Sequence, residues 1–263
     1  DDFITHCSRI AKNYGFEFIE TPILEETALF KRSVGESSDI VGKEMYQFTD
    51  KGGNDVCMRP EGTAGVVRAF VQNKMDRVNQ TRRFFYHGPM YRYERPQKGR
   101  LRQFHQFGAE CFGESNVKED AAIILMLKEM LDFLGIKATL KLNSLGNQNC
   151  MPYYRTKLVN FLETLEGLCD DCARRKNTNP IRVLDCKNDQ CQTLLKPAPL
   201  LIDNLCEECE SEFNELRAIL DRFDVDYEVD PKLVRGLDYY SKTAFEFVSD
   251  EIGAQSSIAG GGR

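Results

Sequence analysis

Residues 82–113, RRFFYHGPMYRYERPQKGRLRQFHQFGAECFG, decide the fold. Two runs rich in strand formers, 82–95 and 101–113, flank PQKGR (96–100), a polar turn carrying Pro and Gly. The spacing predicts a long antiparallel hairpin. Side chains on a strand alternate faces, so Arg92 and Glu94 share one face, and Arg102, Phe104, Gln106 and Glu110 share one face of the returning strand. Paired, the two runs present two arginines, two carboxylates, an amide and an aromatic ring on one surface. The turn adds Arg95, Lys98 and Arg100, so five basic residues fall within 92–102 against one acid. A solvated hairpin laced with salt bridges explains such charge when it stands alone. The matching parity of amide and ring points instead to a binding face. Guanidinium groups suit phosphate oxygens, a phenyl ring stacks on a base, and carboxylates take ammonium or base N–H groups.

Outward from the hairpin, helices and strands follow from periodicity. Phe3, Ile4, Cys7, Ile10, Ala11 and Tyr14 recur at helical spacing, with Gly15 as a stop. FEFIET (16–21) alternates like a strand ended by Pro22. MYQFTD (45–50) and DVCMR (55–59) flank KGGN, a hairpin signal. GTAGVVRAFVQN (62–73) and VKEDAAIILMLKEMLDFLG (117–135) read as helices, and KATLKLNS (137–144) as a strand. After Gly146 the composition shifts: residues 146–224 hold seven of the ten cysteines, with helical stretches near 152–166 and 207–222. Strand character resumes at VDYEV (225–229), TAFEFVS (243–249) and SSIAG (256–260). This pattern gives an α+β fold with a mostly antiparallel sheet flanked by helices. Residues 1–145 and 225–263 form its core, and 146–224 form a small helical insertion domain.

Composition limits the function classes. Over 263 residues, 41% hydrophobic and 29% charged residues suit a packed core. The net charge of -6 excludes a uniformly basic nucleic-acid coat but leaves room for a local basic patch. The longest apolar run, AAIILMLKEMLDFLG (121–135), is interrupted by charge and falls short of the ~20 residues that span a bilayer. No basic-then-apolar leader is present, so the expectation is a cytoplasmic chain with no membrane partner. HExxH, GxxxxGK[ST], GxSxG and a strand-borne GxGxxG are all missing from the sequence.

Two further segments carry chemistry. In MRPEGTAG (58–65), Arg59, Glu61 and Thr63 alternate before glycines open a helix. A plain turn and N-cap explains RPEG taken alone. The functional reading sets Glu61 and Thr63 at a strand–helix junction where an ammonium docks. In LVRGLDYYSKTAFEF (233–247), an Arg-Gly pair precedes two tyrosines and a strand. A turn with core tyrosines is one reading. The other offers an arginine for an anion and hydroxyls for polar ligand atoms.

Together these segments resemble histidyl-tRNA synthetases, members of the class II aminoacyl-tRNA synthetases. YRYERPQKGRLRQF (91–104) resembles motif 2, an Arg-x-Glu strand, a variable loop and a returning strand with an aromatic. GFEFIETPILEE (15–26) resembles motif 1 with Pro22, and LVRGLDYY (233–240) and SSIAGGGR (256–263) resemble the two histidine motifs. The resemblance implies a class II synthetase-like fold and ATP-dependent ligation of histidine to histidine tRNA via histidyl-adenylate, releasing AMP and pyrophosphate. It also implies a homodimer through the motif 1 region. Arg92 and Arg235 would flank the α-phosphate as the catalytic cations. Glu94, Arg100 and Phe104, with Arg92, would hold ATP, and Mg2+ would accompany the pyrophosphate. Histidine would sit against Glu61, Gly62, Thr63, Arg92, Gln106, Glu110, Arg235, Tyr239 and Tyr240. Gln97, with Arg95 and Lys98, would meet the tRNA acceptor end. Motif 3 and the anticodon-binding domain lie outside these residues, which sets the expectation of a fragment truncated before motif 3, with weak or no ligation by itself.

Cys169-x-x-Cys172 and Cys206-x-x-Cys209 bracket Cys186 and Cys191. In a reduced compartment, paired CxxC knuckles point to structural Zn2+, with Cys169, Cys172, Cys206 and Cys209 as candidate ligands. Free thiols packed in the helical insert are the alternative. Two other functions compete with ligation. One is a regulatory paralogue that binds histidine without adenylation, against which Arg92, Glu94, Arg100 and Arg235 speak. The other is a zinc-stabilised RNA-binding module, disfavoured by the acidic charge balance.

Overall fold

The computed structural model describes residues 2–35, 38, 40–77, 80–96, 100–113, 115–235, 239–249 and 257–263. Gln97 and Lys98, and the 236–238 part of the tyrosine motif, lie outside the described residues. The chain divides into two units. One draws its described residues chiefly from Asp1–Lys137, and the other from Ala138–Gly236, Tyr240–Ser249 and Ser257–Arg263.

The first unit runs α1 (Asp2–Asn13), β1 (Glu17–Phe18), β2 (Leu24–Glu26), α2 (Thr27–Val34), β3 (Gln47–Thr49), β4 (Asp55–Met58), α3 (Thr63–Gln72), β5 (Arg82–Tyr91), β6 (Gln103–Phe112) and α4 (Val117–Phe133). The β5–β6 pair is antiparallel over ten residues a side, from Arg82↔Phe112 to Tyr91↔Gln103. One face of this hairpin packs Phe85 and Phe107 against α1 and α4, where Cys7, Ile10, Ala11, Met126 and Met130 are buried. The opposite face carries Phe84, Tyr86 and Met90 toward Val66 and Phe70 of α3. A sheet whose two faces both meet helices requires near-continuous apolar runs, which FFY at 84–86 supplies. Helix α4 begins at Asn116, whose side-chain oxygen accepts from the Lys118 and Glu119 amides, and ends before Gly135 at φ 67.

The predicted strand 82–95 ends earlier, at Tyr91. Arg92 N–H still donates to Arg102 O at 2.9 Å, but Tyr93 N–H turns away to Glu44 O at 2.7 Å. The loop therefore leaves the ladder because a second backbone acceptor captures it. The predicted strand 16–21 is likewise reduced to Glu17–Phe18, parallel to β5. The 45–59 hairpin forms as β3–β4 with Phe48 opposite Val56, and β2 adds to its other edge.

The second unit runs β7 (Thr139–Ser144), α5 (Met151–Glu163), α6 (Asp170–Thr178), α7 (Asp189–Leu194), α8 (Glu207–Arg222), β8 (Tyr227–Val229), β9 (Thr243–Val248) and β10 (Ser257–Gly262). Its sheet has the order β10-β9-β7-β8. Strands β7 and β8 are parallel, so their connection must be a long crossover, and helices α5 to α8 form it. Those helices enclose their own core around Tyr154, Leu158, Leu162, Val183, Leu195 and Leu201. Five of the seven strand pairings among the described residues are antiparallel. No helix among the described residues is long and apolar enough to cross a membrane.

Candidate functional site

The β5–β6 register sets Glu110 opposite Phe84, Gly108 opposite Tyr86, Gln106 opposite Gly88 and Phe104 opposite Met90. Residues two apart on a strand share a face, so Phe104, Gln106, Gly108 and Glu110 line the same side as Tyr86. The start of α3 meets this face. Glu61, just before that helix, accepts from the amides of Thr63 at 2.6 Å and Ala64 at 2.9 Å. A carboxylate at a helix N-terminus satisfies free amides and meets the positive end of the dipole. Thr63 Oγ1 then donates to Glu110 Oε1 at 2.7 Å, and Tyr86 OH donates to the same oxygen at 3.2 Å. Four predicted residues, Glu61, Thr63, Gln106 and Glu110, thus belong to one face, and Gly62 lies in the same turn.

Electrostatics make this cluster reactive toward cations. Burial pushes the Glu110 carboxyl up to about 7, and the nearby Glu61 carboxylate adds to the rise. Burial also raises Glu61, opposed by the Ala64 and Thr63 amides. The Tyr86 hydroxyl is held well above its usual range by burial and by both carboxylates. The Oε1 of Gln106 is buried with no hydrogen-bond partner. A buried acceptor without a partner is unfavourable unless a donor-bearing ligand completes it.

Tyr86 escaped the sequence reading, although its parity with Phe84 was available. Two glycines make room for its ring. A Cβ at Gly62 would fall 2.1 Å from its Cε2, and one at Gly108 would fall 2.2 Å from its Cζ. Gly108→Ala is therefore expected to displace Tyr86 and destabilise the chain by about 1–3 kcal/mol, read as a lowered urea midpoint. An unchanged midpoint would contradict this packing.

Arg59, which alternates with Glu61 and Thr63 in sequence, is a structural residue. It is buried, donating from Nε to Pro89 O at 3.0 Å and from Nη1 to Thr21 O at 2.7 Å. It ties the segment before Glu61 to β5. Arg92 donates from Nε to Pro60 O at 2.9 Å, and its guanidinium lies 5.1 Å from the Phe104 ring centroid. Glu94 is bracketed by Arg100 at 3.1 Å and Arg92 at 3.8 Å. Cations, carboxylate and ring therefore meet at the loop end of the hairpin. Arg95 is exposed nearby in sequence.

In the second unit, Arg235 pairs with Glu246 Oε1 at 3.1 Å and lies 5.5 Å from the Tyr240 ring centroid. Gly260 stands opposite Glu246 in the β9–β10 register, and a Cβ there would come within 2.6 Å of Arg235 Nη1. The glycine run of β10 thus clears space for this guanidinium. Its Nε is buried without a partner. Tyr239, assigned to the first unit, is exposed.

The cysteines correct one expectation. Cys169 and Cys172 do not share a cluster with Cys206 and Cys209. The first pair groups with Cys186 and Cys191, and the second with Cys150. The reason is topological: Cys169 and Cys206 stand before different helices, α6 and α8, and each knuckle finds its partners in a different neighbouring segment.

Comparisons with known proteins agree with one another. A family model described as histidyl-tRNA synthetase matches residues 2–263. A histidine–tRNA ligase of Campylobacter fetus is 67% identical over 258 residues, covering 98% of this chain and 63% of that protein. One of Sulfurimonas denitrificans is 68% identical over 262 residues, covering 99% of this chain and 65% of that protein. The chain thus spans under two thirds of these relatives' length. Among solved structures, the apo histidyl-tRNA synthetase of Staphylococcus aureus has a TM-score of 0.78 at 36% identity, covering 99% of this chain and 60% of that one. A Bacillus halodurans protein described as an ATP phosphoribosyltransferase regulatory subunit/histidyl-tRNA synthetase has a TM-score of 0.68 at 20% identity, a likeness of fold alone.

Proposed function

The chain belongs to the histidyl-tRNA synthetase family, and from that premise we propose that it carries the catalytic core for ATP-dependent ligation of histidine to histidine tRNA. The core comprises 1–145 and 225–263, with 146–224 as an insertion. The observation that carries the reading is the hydrogen-bonded Glu61–Thr63–Glu110–Tyr86 cluster, with the unpartnered Gln106 Oε1 on the same strand face. Two carboxylates, a hydroxyl and an amide match an ammonium and an imidazole, which offers a donor and an acceptor at fixed angles. A site that pairs both discriminates against analogues by roughly 10⁴-fold or more, because unmet buried polar groups are costly.

The chemistry has two steps. The histidine carboxylate oxygen attacks the α-phosphorus of ATP, the bond to the bridging oxygen breaks, and pyrophosphate leaves. The terminal ribose hydroxyl of tRNA then attacks the carbonyl carbon of the adenylate, and AMP leaves. Charge develops around the α-phosphorus in the first step, and Arg92 and Arg235 are the cations to stabilise it. Glu94 takes the adenine amino group, Phe104 stacks on the ring, and Arg100 reaches phosphate. Gly62, Tyr239 and Tyr240 complete the histidine side. Arg95, Gln97 and Lys98 meet the acceptor end, where phosphate contacts position and the amide reads a base edge.

The metal-ligand clusters among the described residues are all of cysteine, soft donors unsuited to Mg2+. Mg2+ accompanies the ATP phosphates as part of the substrate, a hard cation held mainly by phosphate oxygens and water. Exposed Phe18, Ile23 and Leu24 in the motif 1 segment support a homodimer through that region. The setting is cytoplasmic, where the thiols stay reduced. Histidine-dependent ATP–pyrophosphate exchange, in a chain extended to its relatives' length, tests the reading. Histidine binding without exchange would favour the regulatory paralogue instead, and exchange that ignores histidine would overturn the substrate assignment.

A further inference from the structure

The geometry points to a structural zinc site formed by Cys169, Cys172, Cys186 and Cys191, a set that joins the first knuckle to α7 and the loop before it rather than to the second knuckle. The four Sγ atoms all lie within 4.8 Å of one another. Cys169 Sγ is 3.8 Å from Cys186 Sγ. A Zn–S bond of about 2.3 Å sets the sulfur–sulfur edge of a tetrahedron at about 3.8 Å. All four thiols are free, so the sulfurs converge as a group without being joined in pairs. Two backbone amides also point at sulfur: Cys169 N–H at Cys191 Sγ, 3.2 Å, and Asn188 N–H at Cys186 Sγ, 3.4 Å. Such bonds stabilise thiolate ligands by offsetting their charge.

Packing gives a second, independent reason. Helix α6, DDCARRKNT, has Cys172 as its sole buried residue, and the six-residue α7 has only Cys191. Helices this short are marginal in water unless an apolar face anchors them. Here the thiol is the whole anchor. A metal that ties both thiols to Cys169 and Cys186 supplies what the small core lacks, the usual solution for segments of this size.

The second cluster is chemically poorer. Cys150, Cys206 and Cys209 have no fourth thiol, and the neutral Asn147 Oδ1 lies 3.4 Å from Cys150 Sγ. Three thiols and an amide hold zinc less tightly than four thiolates. The two clusters therefore separate under mild chelation.

The test uses the whole chain, purified without chelator and then dialysed against metal-free buffer. It is expected to retain roughly one zinc per chain, and cobalt substitution is expected to give the absorption of a four-sulfur tetrahedral centre. Cys191→Ser should lower retained metal by roughly tenfold or more, whereas Cys206→Ser should leave it unchanged. Alkylation of the unaltered chain provides a readout that needs no variant. With zinc bound, Cys169, Cys172, Cys186 and Cys191 should be protected together and released together by a strong chelator. A folded, helical chain that retains no metal would overturn the proposal. So would metal lost in Cys206→Ser but kept in Cys191→Ser, or protection that maps to Cys150, Cys206 and Cys209.

Discussion

Arg92→Ala and Arg235→Ala are each expected to lower histidine-dependent ATP–pyrophosphate exchange by roughly 10²–10³-fold, the usual loss when one fixed donor to a developing charge is removed. The Arg235 variant should leave ATP binding largely intact, because in the proposed site Glu94, Arg100 and Phe104 would carry the adenine and phosphate contacts. The double variant distinguishes the proposed joint role from two separate ones. Groups that stabilise the same charge are strongly non-additive, so the double loss should fall well short of the product of the single losses. Full multiplicativity would mean that the two guanidinium groups act on different atoms. Arg92→Lys is not expected to rescue, since the fork that donates to Pro60 O and lies over Phe104 has no ammonium equivalent.

Glu110→Gln carries the second large effect, and it runs in opposite directions for binding and stability. Loss of the carboxylate should weaken histidine binding by roughly 100-fold, the scale of a charge-assisted hydrogen bond in a buried site. Stability should move the other way at alkaline pH. The folded-state pKa is about 7, against an ordinary 4.5, so the native chain holds a proton that the unfolded chain has lost. The stabilising proton is present in full below the ordinary value. Its benefit is lost as pH rises from there through 7. At about 1.4 kcal/mol per pKa unit, this amounts to roughly 3 kcal/mol by pH 8. Glutamine keeps an acceptor for Thr63 and Tyr86 without the buried charge. The variant should therefore differ from the parent by less than about 1 kcal/mol at pH 5 and exceed it by up to about 3 kcal/mol at pH 8, measured by urea unfolding. Equal stability at both values would show that the carboxyl is not held neutral by burial.

Much of this site was legible in the sequence because a β-strand has a period of two. Phe104, Gln106 and Glu110 fall on one face in any hairpin that keeps register, and the ten-residue ladder keeps it. Helix α4 was equally legible from its apolar run and its cap at Asn116. Long-range capture was not legible. Nothing local to Tyr93 announces that its amide will bond Glu44 O and end the strand. Helix α2 and strand β2 were missed because Leu24–Val34 lacks a clear period and relies on packing of Leu29, Phe30 and Val34. The cysteines show the same limit. Spacing identified two knuckles, but which thiols close each one depends on where the crossover helices settle, and Cys150 lies 56 residues from Cys206. Arg59 illustrates the converse. Its alternation with Glu61 is visible in sequence, while its burial against Thr21 and Pro89 is a property of the fold alone.

The claim that the Glu61–Thr63–Glu110 face holds histidine is tested most directly by calorimetric titration of histidine into this chain at pH 6 and pH 8. One saturable site is predicted, roughly tenfold tighter at the higher pH because Glu110 must be ionised to receive a cation. No saturable heat at either pH, or an affinity that Glu110→Gln leaves untouched, would contradict the account.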